Sequence, residues 1–313
     1  MSSAPRAPEE VRVFAPASLS NLGPGFDVLG LALLAPGDTV VARRTAEPGV
    51  RIVRASGGVP TDASRNTAGI AAQATLVRAG MPEVGIELEV EKGMAIGTGL
   101  GSSAASAAAA ATAVNLLLGS PLRKAELVGP CVQAETAVAG RHGDNVSPSL
   151  LGGLVLVRSL DPPDVVRIPV PEGLTVVVAS PAFELPTKEA RAALPPEVPL
   201  RSLVRSTANI GALVAACFAG DRALLARSLD EDVVVPVRAR LIPGAADVMR
   251  AALDAGALGS TISGAGPSIF ALCHSELRAQ AVGQAMAEAF RLHGGLDSAI
   301  LLSPADAPGA RAV

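Results

Sequence analysis

The chain has no tryptophan and no tyrosine, and only six phenylalanines among 313 residues. An adenine ring therefore cannot stack on an indole or a phenol; any purine pocket must be aliphatic or use a phenylalanine. Cysteine is equally scarce. Cys131, Cys217 and Cys273 are far apart and odd in number, which gives neither a disulfide framework nor metal-ligand spacing. Each sits among apolar neighbours, as a free buried thiol does, and a reducing cytoplasm is expected. Lysine occurs only as Lys92, Lys124 and Lys188. With no basic tract, no aromatic stripe and a net charge of -3, nucleic-acid binding is not expected. No run reaches the roughly 18 uninterrupted apolar residues of a membrane span. Met1 to Glu10 is polar and rich in Pro and Ala, without the apolar stretch of a signal peptide. What is present is 49% hydrophobic and 18% charged, enough to build a substantial core in one large domain or two.

The order of elements is mixed. Strands are expected at 11–14, 39–42, 50–53, 86–91 and 154–157, with helices over 66–79, 102–118 and 122–138, the last broken or kinked at Gly129-Pro130. Asp161-Pro162-Pro163-Asp164 is the best internal boundary, dividing residues 1–162 from 163–313. The second part reads as strands at 175–179, 261–263, 269–272 and 299–302, and helices at 200–218, 221–229, 245–255 and 276–292. This succession lacks the regular alternation of a doubly wound sheet and favours an α+β fold with sheet and helix layers.

The most informative segment is Gly97-Thr98-Gly99-Leu100-Gly101-Ser102-Ser103-Ala104-Ala105-Ser106, which runs into five alanines. Glycines at alternate positions let consecutive N–H groups turn toward one point. The helix that follows adds unpaired N–H groups and a positive dipole end, which together suit a phosphate. It is not a GxxxxGK[ST] loop, because Ser102 stands where that lysine would be; the nearest lysine is Lys92, upstream. GxGxx[GA] does match at Gly99, Gly101 and Ala104. The dinucleotide reading also needs a strand ending at the first glycine and an acid-tipped strand about 20 residues on, and neither is there.

Four clusters could carry chemistry. Pro16 to Asp27 reads as a turn-rich loop after the first strand. Asn21 and Asp27 there either cap backbone or hold a small polar substrate, with Asp27 suited to an ammonium. His142-Gly143-Asp144-Asn145-Val146-Ser147-Pro148 follows a helix carrying Glu135, and a Glu with a Ser hydroxyl is a common protein contribution to Mg²⁺. Thr187-Lys188-Glu189-Ala190-Arg191 reads as an N-capped helix start. Arg191, with Arg238 and Arg240, is either solvated or forms a forked clamp on a carboxylate. Ser263-Gly264-Ala265-Gly266-Pro267 is a second glycine-rich turn, tight for its own sake or closing over the first.

Taken together, Pro16–Asp27, Gly99–Ala104 and Ser263–Pro267 resemble the three motifs of the GHMP kinases, in order. Within that superfamily, Asn21 to Gly30, His142 to Pro148 with Gly152-Gly153, Thr187 to Arg191 and Arg238 to Pro243 resemble the branch that phosphorylates L-homoserine on the threonine route. The resemblance implies an N-terminal ribosomal-S5-like domain, a C-terminal ferredoxin-like domain and a homodimer, using ATP and Mg²⁺. Ala95, Ile96, Gly97, Thr98, Gly99, Leu100, Gly101, Ser102, Ser103, Ala104 and Ala105 would wrap the ATP phosphates. Ser103 and Glu135 would serve Mg²⁺. Asn21, Asp27, His142 and Asn145 would surround homoserine, with Asp27, His142 and Asn145 nearest the chemistry; Thr187, Arg191 and one of Arg238 and Arg240 would take its carboxylate. Ala95 departs from the family, which often has Pro there. Many relatives carry a catalytic Asp in the loop before the double glycine; counting back from Gly152 puts Asn145 in its place, so no side chain is an obvious base. Kinases of other small alcohols, such as mevalonate or shikimate, and a non-catalytic sensor on the same fold are the competing readings.

Overall fold

The computed structural model describes residues 8–138 and 140–313, so most of the polar N-terminal stretch lies outside the described residues. The chain opens with β1 (Glu10–Asn21), β2 (Gly25–Thr45) and β3 (Gly49–Ala55), then α1 (Thr67–Arg78), β4 (Gly85–Glu91) and α2 (Ser102–Leu117). It continues through α3 (Val128–Val138), α4 (Val146–Leu151), β5 (Leu154–Leu160) and β6 (Pro163–Ile168). These strands form one sheet in the order β3-β4-β2-β1, with β5 pairing a separate stretch of β2 and β6 beyond it. Asn66 caps α1 through its side chain, which accepts from Ala68 N–H. The alanines of α2 are buried on every side, between the sheet and α1 and α3. A Cβ-sized side chain lets the helix backbone approach the sheet closely, which larger residues would prevent.

The second part comprises β7 (Thr175–Pro181), α5 (Thr187–Ala192), α6 (Leu200–Ala219), α7 (Arg222–Ser228), α8 (Val234–Ala239) and α9 (Ala245–Asp254). It ends with β8 (Gly259–Ile262), β9 (Ile269–Cys273), α10 (Glu276–Ala289), β10 (Ser298–Pro304) and β11 (Arg311–Ala312). Its sheet has the order β10-β7-β9-β8, antiparallel throughout. With α9 and α10 packed on one face, that is the β-α-β-β-α-β arrangement of a ferredoxin-like fold. β7 shows why both faces are covered. Val176 and Val178 enter a core shared with Leu19, Leu29 and Leu31 of the first sheet, while Val177 and Ala179 face α9 and α10. Alternation at period two assigns the two sets to opposite faces.

Four expectations change. Pro16 to Asn21 is not a loop: β1 continues through it, with register shifts, and pairs Ser18–Ser20 with Gly30–Ala32 of β2. Gly129-Pro130 does not break a helix. α3 starts at Val128, so Pro130 falls in the first turn, where its missing N–H costs nothing. Thr187 is the first residue of α5, and Pro186 holds the cap position. The 162/163 boundary lies inside the β5–β6 hairpin, both strands of which belong to the first sheet, and the C-terminal β11 returns to pair β1. The short helices α4 and α8 had no periodic signal long enough to read. Among the described residues, α6 alone is long and apolar enough by composition to cross a membrane; Arg201, Arg205 and Asn209 interrupt it, and Leu213, Ala216 and Cys217 anchor it in the shared core.

Candidate active site

A cleft of about 770 Å³ opens where the N-terminus of α2 meets the turns of the second sheet. Gly97, Gly99 and Gly101 all have left-handed φ (75°, 75° and 67°). Gly101 caps α2 without a side-chain bond, so the first N–H groups of the helix face the cleft unpaired. The second glycine-rich turn pins this loop from the other side. Ser263 Oγ donates to the Gly99 carbonyl and Ser268 Oγ to the Thr98 carbonyl, each at 2.6 Å. A Cβ on Gly99 would stand 2.7 Å from the Ser263 carbonyl oxygen, so the close approach of the two turns requires glycine. Ile96, Gly97, Thr98, Gly99, Gly101, Ser102 and Ser103 line the cleft. Ala95, Leu100, Ala104 and Ala105 do not. Leu100 and Ala104 are core residues, Ala105 is buried in α2 and Ala95 is exposed.

Beside the loop lies Glu135 on α3, 3% exposed. Burial pushes its carboxyl above the usual carboxylate range, an effect the nearby Ser103 opposes. The Glu135 Oε1 has no partner. Asn145 stands at the start of α4: its Oδ1 accepts from Ser18 Oγ and its Nδ2 donates to Ser20 Oγ, both at 3.0 Å. Asp144 is buried, and that burial, only partly offset by His142, raises its pKa to about 6. His142 Nδ1 lies 4.0 Å from Asp144 Oδ1.

At the opposite end two arginines and an acid converge. Arg191 on α5 holds Asp27 in a bidentate pair, at 2.7 and 3.0 Å. That bond holds the guanidinium more firmly protonated than usual. Arg238 on α8 is 3% exposed and donates to the Gly264 carbonyl at 2.6 Å. Burial, and then the neighbouring Arg191, lower its pKa to about 10. Both guanidinium groups rest over the Phe26 ring, at 5.2 and 5.3 Å, an arrangement that tolerates two cations side by side. Arg240 is exposed at the end of α8 and is not part of the cleft. Thr187 lines the cleft. Asn21 also lines it, but both ends of its amide are used by the protein: Nδ2 donates to the Gly264 carbonyl and Oδ1 accepts from Asp27 N–H. Asn21, Leu22 and Asp27 hold left-handed φ angles of 71°, 45° and 59°, a strain common at functional turns.

The sequence reading gave no role to Ser18, Ser20, Phe26 or Lys92. Only Lys92 carried a signal, as the one lysine near the loop. Among the described residues, nine buried side-chain polar atoms lack a hydrogen-bond partner; five of them, on Ser102, Glu135, Asp144, Arg191 and Arg238, surround this cleft. Buried polar atoms are normally satisfied, so their concentration here marks a site built for a polar ligand.

An α2 N-terminus that carries Ser103 beside the buried Glu135, closed by a turn from a ferredoxin-like sheet, defines a small-molecule kinase of the GHMP class. The family model for the GHMP kinases N terminal domain matches residues 66–153, and that for the GHMP kinases C terminal matches residues 213–292. The chain is 46% identical to a homoserine kinase of Arabidopsis thaliana, covering 97% of this chain and 84% of the relative. It is 43% identical to that of Chloroherpeton thalassium, covering 97% and 99%. The crystal structure of a homoserine kinase from Cytophaga hutchinsonii superposes with a TM-score of 0.95 at 43% identity, over 100% of both chains. The chain belongs to the homoserine kinase family.

Proposed function

We propose that this chain catalyses ATP-dependent phosphorylation of L-homoserine to O-phospho-L-homoserine, by in-line transfer to the side-chain hydroxyl. The observation that carries the reading is the polarity of the cleft. A phosphate-seeking helix terminus and an unpartnered carboxylate occupy one end, and paired opposite charges suited to an amino acid occupy the other. The substrate ammonium would take Asp27, and its carboxylate Arg191 and Arg238, whose Nε atoms are buried and unpaired. Asp27 and Arg191 neutralise each other in the free site, and a zwitterion can replace both partners at once. A plain acid such as mevalonate would leave the Asp27 charge without a partner, which is costly in a half-buried site.

ATP use accords with the family. The triphosphate would lie against residues 96–103, with the base at the aliphatic rim of Val59, Pro60, Ile96 and Val138. Mg²⁺ fits the residues present: Glu135 Oε1 is an orphaned hard oxygen and Ser103 adds a hydroxyl. No group of three or more His, Cys, Asp or Glu among the described residues could hold a metal alone, so phosphate oxygens would complete its shell. The metal would neutralise charge developing on the transferred phosphoryl group. The protein's own part is positioning, which phosphoryl transfer allows to stand without a side-chain base and which is worth about 7–11 kcal/mol of barrier. A homodimer and a cytoplasmic location complete the proposal. The test is ADP release with Mg-ATP and, in turn, L-homoserine, mevalonate, shikimate and galactose. Turnover is expected with L-homoserine alone; turnover with only another alcohol reassigns the substrate, and none with any of them favours a sensor.

A further inference from the structure

Lys92 stands where a phosphate-binding lysine would be sought, yet its partners are internal. Its ammonium donates to Asp38 Oδ2, to the Ser102 carbonyl at 2.8 Å and to Ser106 Oγ at 2.9 Å. An ammonium has three protons to give, so all are engaged within the protein. The Lys92 side chain is 4% exposed and that of Asp38 0%. Asp38, on β2, is equally committed. Its Oδ1 accepts from Gly93 N–H at 3.0 Å, and its Oδ2 accepts from Ser106 Oγ at 2.6 Å as well as from Lys92. Gly93 begins the glycine-rich loop, and Ser106 lies one turn into α2, where the loop has ended. One buried carboxylate thus ties down both ends of residues 93–101.

We infer that Asp38 and Lys92 are positioning residues for the triphosphate loop, which fix its span without touching nucleotide. The inference deepens the kinase reading and rests on it. A loop whose three glycines hold left-handed φ has many alternatives when its ends are free. Anchoring both ends moves that ordering cost from nucleotide binding to folding, which raises affinity by preorganisation. The pair is neutral overall, so its direct Coulomb pull on a phosphate is weak compared with that of a free lysine.

The test compares Asp38→Asn, Lys92→Met and the double variant in the full-length protein. KM for Mg-ATP and for L-homoserine, Mg-ADP affinity by titration calorimetry, and hydrogen exchange of amides 93–101 are measured. Each single variant is expected to raise the KM for ATP about tenfold, leave the KM for homoserine within about twofold, and speed exchange in 93–101. The double variant is expected to be no worse than the worse single, because it leaves no unpaired buried charge. If Lys92→Met weakens nucleotide while Asp38→Asn strengthens it or leaves it unchanged, Lys92 is a direct phosphate ligand and the inference fails. Equal changes in both KM values also overturn it, since they mark a general structural role. Should a single variant not fold, the neutral double variant and Ser106→Ala carry the test: weaker Mg-ADP binding supports the inference and unchanged binding ends it. Calorimetry with Mg-ADP reads this outcome even if homoserine proves not to be the substrate.

Discussion

Asp144 and Asn145 are adjacent in sequence and differ sharply in surroundings. Asp144 is buried beside His142 and in the field of Asp27, with its pKa raised from 3.8 to about 6. The folded state therefore keeps a proton that the unfolded chain gives up, and this contribution to stability is lost as pH rises from about 4 through about 6. Asp144→Asn removes the cost of a buried charge. It is expected to raise Tm at pH 7.5, by the equivalent of about 2–3 kcal/mol, with the gain vanishing near pH 4; melts across that range check it. Asn145 sits instead at the phosphate loop, its Oδ1 2.8 Å from where a Cβ on Gly101 would lie. Asn145→Ala is expected to lower kcat about 10²-fold, and Asp144→Asn to lower it less. Steady-state kinetics showing the reverse order would make Asp144 the base. The residue types of this site were legible in the sequence because their chemistry is local to each side chain. Which of Arg238 and Arg240 matters was not, since one turn of α8 buries the first and exposes the second.

At the scale of elements, the two glycine-rich turns behave as one unit. Each was readable by itself, because left-handed φ and close approach demand glycine whatever the rest of the chain does. Their contact was not readable, because residues 99 and 263 meet only through the packing of two sheets. Gly99→Ala tests the contact. Its Cβ would meet the Gly266 and Ser263 carbonyl oxygens, at 2.5 and 2.7 Å, in a backbone conformation that already disfavours a side chain. A loss of about 1–3 kcal/mol in stability is expected, together with weaker Mg-ADP binding; calorimetry of both transitions checks it. β1 gives the opposite case. Pro16 to Asp27 reads as one loop by local rules; the turn survives only at residues 22–24, and pairing of Ser18–Ser20 with β2 overrides it before that.

For the whole molecule, the chain terminus belongs to the first sheet although it follows the second. Ala310 N–H donates to the Ser149 carbonyl at 2.8 Å and Val313 N–H to that of Arg12 at 3.0 Å. Lys124 Nζ donates to the Ala310 carbonyl at 2.7 Å. Removing residues 310–313 is expected to lower stability by at least about 3 kcal/mol, at about 1 kcal/mol for each of these three bonds and with the β11–β1 pairing lost besides, and to lower Tm accordingly in thermal melts. The same return of the chain explains why a boundary drawn at Pro162 fails: Pro and Asp clusters mark turns, and a hairpin within one sheet uses the same residues as a link between two.

Composition and local pattern alone determined that the chain is α+β, that a glycine-rich turn opens a buried alanine helix, and which side chains carry charge or a hydroxyl toward chemistry. These follow from backbone sterics and side-chain periodicity, which act over a few residues. Only the tertiary structure decided that Asp27 and Arg191 neutralise each other, that Arg238 faces the cleft, and that Asp38 and Lys92 hold the loop from beneath. Such pairings join residues 54 and 164 positions apart, and burial, which sets their strength and their pKa values, exists only once the sheets have packed.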